Sequence, residues 1–450
     1  MAKKTKTAGL SIEEKLEQAL IVPGYEPYQI PENWCWVSLT NGFARCLDSF
    51  RKPVNAKSRE TMIGSIPYYG ATGQVGWINN YLTNEHLVLL GEDGAPFLDP
   101  KKNKAYIIKG KAWVNNHAHI LQSFYGVEGN IFLMHYLNIF NYRGFVNGTT
   151  RLKLTQEKMN TIPIPLPPLS EQHRIVERIE FLFSKLDEAK EKAQAVIDSF
   201  ETRKAAILHK AFSGELTAKW REENGVGVDS WDLCKFSDVC KVNPPKIKTN
   251  DLPDDLDVSF FPMPALSEIY GEITDPQIRK LKEVKTGFTN FSEGDVVFAK
   301  ITPCMENGKS AVIGKLLNDI GYGTTEFFVL RCSEQLYNRF LYHLLRSKVF
   351  RDEAKGTMTG AVGQQRVPKS FLEEYQIKKP SVNEQKEIVR LLDDFFYDLQ
   401  KTQEVAESVI DQIDMMKKAI LSRAFRGELG TNDSSEESAV ELLKAILSGE

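Results

Sequence analysis

Residues 167–216 recur without a gap as residues 380–429, and 21 of the 50 aligned pairs are identical. The anchor is Glu171-Gln172 against Glu384-Gln385. The closing phrase is Ala211-Phe212-Ser213-Gly214-Glu215-Leu216 against Ala424-Phe425-Arg426-Gly427-Glu428-Leu429. Drift around a shared helical pattern does not reach that level of identity, so internal repetition dictates the architecture. Each copy follows a block of other sequence. A molecule built twice over suits the reading of two similar things in fixed relative position.

Both copies space their apolar residues alternately four and three apart. The predicted seam is Ile175, Ile179, Leu182, Leu186, Val196, Phe200 and Ile207 in the first copy, with Ala189, Ala193 and Arg203 in the same register. In the second copy it is Ile388, Leu392, Phe395, Leu399, Val409, Ile413 and Ile420, with Thr402, Ala406 and Met416 in register. A seven-residue period held over about five heptads predicts a coiled-coil seam. Ser170 and Asn383 follow proline-bearing stretches and predict helix N-caps. Gly214 and Gly427 predict C-terminal stops.

The blocks before the helices are rich in short β-type runs (85–90, 105–108, 118–121, 294–299, 326–330) punctuated by Gly, Asn and Asp. They predict mixed α/β domains. Each opens on a comparable phrase, Asn33-Trp34-Cys35-Trp36-Val37-Ser38-Leu39 and Ser230-Trp231-Asp232-Leu233-Cys234-Lys235-Phe236, and then the two diverge. The expected order is an N-terminal helical segment (1–30), a first domain (31–160), a central helix (163–225), a second domain (229–375), a second long helix (377–430) and an acidic C-terminal segment (431–450). Stretches 11–20 and 434–447 are short amphipathic helix candidates, either docking elements or caps on the helical pair.

The formal net charge of −3 argues against a strongly basic, DNA-coating chain but leaves room for local basic patches. Lysines do cluster, at Lys101, Lys102, Lys104, Lys109 and Lys111, then at Lys241, Lys246 and Lys248, and at Lys280, Lys282 and Lys285. No stretch approaches the roughly 20 apolar residues of a membrane span. The basic start Met1–Lys6 lacks an apolar signal core, and the six cysteines form no CxxC pair. Together these features predict a cytoplasmic protein with reduced thiols.

Pro167-Pro168-Leu169-Ser170-Glu171-Gln172 at one helix start, the Ala-Phe-x-Gly-Glu-Leu endings and the domain–helix–domain–helix order together resemble the specificity subunits of type I restriction-modification systems. The resemblance covers nearly the whole chain. Phrases within the domains are similar to those of that family: 66–73, 91–95 and 114–119 in the first, and 294–303, 306–309, 323–326 and 363–366 in the second. The resemblance implies an α+β fold. Two mixed α/β target recognition domains would be separated by two long helices that form an antiparallel, pseudo-twofold coiled coil. It implies that each domain reads one half of a split, asymmetric target in double-stranded DNA. Two methylation subunits would transfer methyl from S-adenosylmethionine to adenine. Restriction subunits would add ATP- and Mg-dependent cleavage. The chain itself would bind no cofactor or metal and catalyse nothing.

Helix geometry agrees with that picture: a helix of about 43 residues spans roughly 65 Å, more than the roughly 34–36 Å between half-sites one DNA turn apart. Base edges are read by Arg, Lys, Asn and Gln, with Thr and Ser assisting. The candidate DNA-binding residues are therefore Thr72, Gln74, Lys101, Lys102, Asn115, Asn116 and Arg151 in the first domain. In the second they are Lys300, Thr302, Asn307, Lys309, Thr324, Thr325, Gln364, Gln365 and Arg366. The bland reading is that Asn, Thr and Gly in such phrases simply build turns, and that lysines touch phosphate rather than base.

Three sharper motifs give way to plainer readings. Asn243-Pro244-Pro245-Lys246 is similar to the Asn-Pro-Pro-aromatic motif of amino-methyltransferases, but lysine stands where the base-stacking ring belongs; a proline-bearing loop is expected. His117-Ala118-His119 has no nearby acidic or cysteine cluster to complete a metal site, so two faces of a strand edge are expected. Gly91-Glu92-Asp93-Gly94 lacks the Lys-Ser/Thr of a phosphate cradle. Two rival functions remain: a coiled-coil assembly scaffold without DNA contact, and a solitary DNA methyltransferase.

Overall fold

The computed structural model describes residues 11–449 apart from residues 228, 269–272 and 362; the basic start Met1–Lys6 lies outside the described residues. The chain divides into two compact units, one of Met1–Gln194 with Glu407–Glu450, the other of Ala195–Ala406.

The first unit holds two four-stranded sheets. One has the order Ala44–Cys46, Ala118–Ser123, Leu87–Gly91, Ala105–Ile108 and is antiparallel throughout. The other has the order Gly73–Ile78, Ile66–Gly70, Lys111–Val114, Thr83–Asn84, and its middle pair is parallel. Leu87–Gly91 is buried at every position, which is why it reads as an unbroken apolar run rather than an alternating one. Helix Gly126–Ile139 buries Phe132, Leu133, Tyr136 and Leu137. Strand Cys35–Ser38 pairs with Pro163–Leu166, tying the domain's start to the residues just before the first repeat helix.

The second unit repeats this topology strand for strand. Its antiparallel sheet runs Cys240–Val242, Phe327–Cys332, Val296–Ala299, Ser310–Val312. Its mixed sheet runs Gln277–Lys280, Asp257–Phe261, Gly321–Gly323, Thr289–Phe291, again with a parallel middle pair. Asp232–Lys235 pairs with Gln376–Lys379. Two domains of divergent sequence therefore carry one strand plan.

The repeat helices depart from expectation in two ways. The first copy is two helices, Leu169–Asp198 and Phe200–Ser213. At Ser199 the N–H is shared between the Ala195 and Val196 carbonyls, both at 3.2 Å, and the hydroxyl donates to Val196 O at 2.7 Å. Such back-bonding by serine loosens a helical turn. The second copy is continuous over the 43 residues Val382–Ala424. Both helices also begin before Ser170 and Asn383. Ser381 is the residue that caps, accepting from Glu384 N at 3.3 Å, whereas Ser170 donates to Glu436 at 2.7 Å. Gly214 does end its helix in the left-handed conformation, with φ +86°.

Every predicted seam position is buried or half-buried, while the in-register Arg203, Thr402, Ala189 and Met416 are exposed. Near the helix ends burial moves one residue on, to Leu208 and Ala211 and to Leu421, Ala424 and Phe425. An α-helix drifts about 20° per heptad against a strict seven-residue repeat, so the apolar stripe slides forward by about one residue over this length. Within the first unit Asp187 meets Lys417 at 2.5 Å and Lys190 meets Asp414 at 2.7 Å. One number rises as the other falls, so the segments run antiparallel. Within the second unit Leu208 and Ala211 share a core with Ile388, Val389 and Leu392. In each unit the start of one copy packs with the end of the other.

Helix Ile12–Ala19, opened by a Ser11–Glu14 capping box, touches helix Ala439–Ser448, where Lys15 Nζ donates to Leu447 O at 3.0 Å. Leu16, Leu20, Val440 and Leu443 join the core that holds Ile175, Ile179 and Leu421. All six cysteines are free thiols. Among the described residues no helix is long and apolar enough to cross a membrane.

Candidate nucleic-acid interface

The antiparallel sheet of each unit ends in the same woven edge. Gly91 pairs with Ala118 in the first unit, and Ala299 with Phe327 in the second. One residue further, Glu92 N donates to His117 O at 2.8 Å, and Lys300 N to Glu326 O at 2.9 Å. A third segment then crosses. Leu154 N donates to Glu92 O at 2.7 Å, and Val367 N to Lys300 O at 2.9 Å. Gly94 N donates to Leu152 O, and Thr302 N to Gln365 O, both at 3.0 Å. Isolated bridges join Asp93 to Lys153 and Ile301 to Arg366.

These bonds align the units residue by residue without reference to sequence. Glu92 stands where Lys300 does, Asp93 where Ile301 does and Gly94 where Thr302 does. His117 stands with Glu326, Leu152 with Gln365 and Lys153 with Arg366. Not one pair is identical. Sequence phrases far apart in the chain are thus gathered into one edge per unit, on a shared backbone that carries different side chains.

In the first unit Thr72 and Gln74 are exposed on the hairpin of Ile66–Gly70 and Gly73–Ile78. That hairpin leans on the edge: a Cβ at Gly91 would come within 2.9 Å of Ala71 O, so only glycine admits the approach. The Gln74 amide donates to Gly76 O at 3.1 Å. Asn116 is exposed, but Asn115 is buried and accepts from His117 N at 2.8 Å; Asn115 builds the turn. Arg151 meets Asp93 at 2.9 Å, and Asp93 also takes His117 Nδ1 at 2.6 Å. Lys101 and Lys102 are exposed on the loop before Ala105–Ile108, where the Lys101 backbone N–H donates to Asp99 at 2.8 Å and the Lys102 ammonium lies 3.9 Å from the same carboxylate.

The second unit brings more of its candidates to the edge. Thr325 and Gln364 are exposed, and Asn307 lies exposed on the turn after Pro303. Lys300 Nζ sits 5.4 Å above the Phe328 ring. Thr324 accepts from Glu326 N at 3.2 Å, a turn-building bond, and half-buried Thr302 faces Met358 Sδ at 3.7 Å. Lys309 is turned inward to Glu268, at 3.5 Å, and to Met263 O. Arg366 is gripped by both oxygens of Glu326, at 2.8 and 2.9 Å, and that grip holds the Glu326 carboxyl below its usual range.

Sequence reading missed the ionic groups behind these edges. Beside His119, which is fully buried, lie Asp48 and Glu92, with ligand atoms within 4.8 Å of one another. The acidic cluster that the His117-Ala118-His119 motif seemed to lack is therefore present, brought in from residue 48. Its groups are already committed. Arg51 pairs with both Asp48 and Glu92, and Lys153 reaches Glu92 at 3.1 Å. His119 faces Asp48 at 2.7 Å and Leu154 O at 3.0 Å. Burial alone would push the Glu92 carboxyl up, but hydrogen bonds from Arg51 and Lys153 outweigh it and hold it low. The cluster is an ion-pair network bracing the edge. His119 is buried on strand Ala118–Ser123, and His117, just before that strand, is half-exposed. Asn243 is a loop former: it takes φ +53°, and its side chain accepts from Val329 N at 3.1 Å.

A family model described as the type I restriction modification DNA specificity domain matches residues 47–197 and again 229–407. The EcoEI and EcoAI specificity subunits of Escherichia coli type I restriction enzymes are each 33% identical over 260 residues, 48% of this chain. Those alignments span less than half of the relatives, 43% and 44%. A putative type I specificity subunit of Haemophilus influenzae is 26% identical over 363 residues, covering 78% of this chain and 85% of that one. The fold is similar to a chain from a structural study of complex assembly and conformational transition in a type I R-M system, with TM-score 0.62, 18% identity and coverage of 90% and 100%. It is also similar to the HsdS subunit of Thermoanaerobacter tengcongensis, with TM-score 0.55, 17% identity and coverage of 90% and 99%. Matched twice over, once in each domain-and-helix half, the chain belongs to the type I restriction-modification DNA specificity family.

Proposed function

We propose that this chain is the non-catalytic specificity subunit of a type I restriction-modification complex, each unit reading one half of a bipartite, asymmetric target in double-stranded DNA. The observation that carries the reading is the paired edge: one hydrogen-bond framework, repeated, with every aligned side chain changed. A shared frame with altered donors and acceptors is what two readers of different base sequences require. Edge residues read bases while surrounding lysines hold phosphate. The two repeat helices form an antiparallel, pseudo-twofold coiled coil that sets the unread spacer. That coil docks two methylation subunits, which methylate adenine N6 from S-adenosylmethionine; restriction subunits add ATP- and Mg-dependent cleavage, all in the cytoplasm. This chain supplies no cofactor site.

The test is a mobility shift of the chain together with its methylation subunits on random-sequence DNA. Selective, salt-sensitive retention of a split motif is the expected result. Binding without sequence preference, or none, would favour the assembly scaffold. Methyl transfer by the isolated chain with radiolabelled cofactor would favour the solitary methyltransferase; none is expected.

A further inference from the structure

Arg366 is the most constrained exposed cation on either edge. Its Nε and Nη2 donate to the two carboxylate oxygens of Glu326 at 2.9 and 2.8 Å, and its Nη1 donates to Gln364 O at 2.9 Å. A guanidinium has five N–H donors in a rigid plane. Three are committed here, which leaves two, one on each terminal nitrogen. The side chain is still 43% exposed. Its backbone is locked as well, bridged to Ile301 on one side and to Thr359 on the other. The first unit places Lys153 at the same point of the weave, and that lysine spends its ammonium on Glu92 at 3.1 Å.

We infer that Arg366 reads a guanine through the major groove, with its two remaining N–H groups directed to O6 and N7, and that Glu326 is the positioning residue that holds the fork. The inference rests on the reading of the second unit as a half-site reader. Guanine O6 and N7 are the acceptor pair that a two-pronged guanidinium fits, and a lysine cannot reproduce the fork. A phosphate would also accept such donors, but phosphate contacts are insensitive to sequence. The two sources can therefore be separated.

The experiment uses the full chain assembled with its methylation subunits. The methylated motif is read by sequencing, and binding is then measured on that motif. Arg366→Ala and Arg366→Lys should each relax one position of the second half-site, weakening the guanine-bearing target by about 5- to 150-fold relative to the same target with that base changed. Glu326→Gln should relax the same position, a readout that a merely structural role would not move. Replacing that guanine by 7-deazaguanine should weaken the unsubstituted protein and leave Arg366→Ala unaffected. A uniform loss on all sequences with a shallower salt slope would mean a phosphate contact and overturn the inference, as would relaxation at a position without guanine. A complex that selects a motif, but whose motif is indifferent to Arg366, sinks the inference alone. A complex with no motif at all sinks the half-site reading beneath it.

Discussion

Arg221 and Glu384 form an ion pair at 2.7 Å in which the side chains are 7% and 1% exposed. Thr217 adds a hydrogen bond to the same carboxylate at 2.8 Å, and Arg221 reaches back to Gly214 O at 2.6 Å. The residues that follow one repeat copy thus clamp the first turn of the other. The same position in the first copy, Glu171, is solved differently. It is fully buried and receives hydrogen bonds from Trp34 Nε1 at 2.7 Å and Asn432 Nδ2 at 2.8 Å, and among the described residues no cation is bonded to it. The neighbouring glutamines act alike: Gln172 donates to Pro167 O and Gln385 to Pro380 O. This is the physical content of the repeated Glu-Gln anchor.

Removing Glu384 leaves Arg221 buried without its partner. Glu384→Ala should destabilise the second unit by about 3–5 kcal/mol, as expected for breaking a buried pair. Glu171→Gln removes no ion pair and should cost far less. Urea unfolding of the two variants side by side checks the ordering, and equal losses would contradict it.

The Glu171 anchor should also respond to acid. Burial pushes the Glu171 carboxyl above its usual range despite its hydrogen bonds. A raised folded-state value means that the ionised form is the one penalised. The stabilising contribution is full below the unfolded value, about 4.3, and is lost as pH rises through the folded value. The advantage of the native chain over Glu171→Gln in melting temperature should therefore be larger at pH 4 than at pH 7.5. An advantage that grows with pH would reverse the sign and refute the assignment.

Much of the fold was legible because it is periodic or repeated. The seam residues Ile175, Ile179, Ile388 and Leu392 are buried as their spacing predicts. The break at Ser199 was not legible, because a serine inside a heptad pattern carries no sign of whether its hydroxyl turns to solvent or to the backbone. The edges were half legible. Phrases such as 323–326 and 363–366 could be singled out, but that Glu326 would grip Arg366, or that Asp48 would meet His119, depends on strand register across tens of residues. Asn115 shows the opposite failure: a residue type suited to bases is spent on a turn.

Lys101 and Lys102 are exposed on a separate loop before Ala105–Ile108, with the Lys102 ammonium 3.9 Å from Asp99. Replacing both by alanine should leave base preference unchanged. Each that contacts phosphate should lower the salt slope of binding by about 1. A salt titration of binding together with motif sequencing separates these effects, and a changed motif would move this loop into the reading surface.

If the paired helices set the spacer, lengthening both should lengthen it. Seven residues inserted after Ala193 and after Ala406 add about 10.5 Å of helix, or roughly 3 base pairs at 3.4 Å each. Both half-site sequences should persist with a longer gap between them. An unchanged gap in the insertion variant would rule out the ruler.

The most direct measurement is the methylated motif, sequenced from cells that carry the complete system with residues 31–160 exchanged for another recognition domain. The native complex should mark a split motif, and the exchange should rewrite one half while leaving the other half and the spacer intact. A single continuous motif, or an exchange that alters both halves together, would contradict the account.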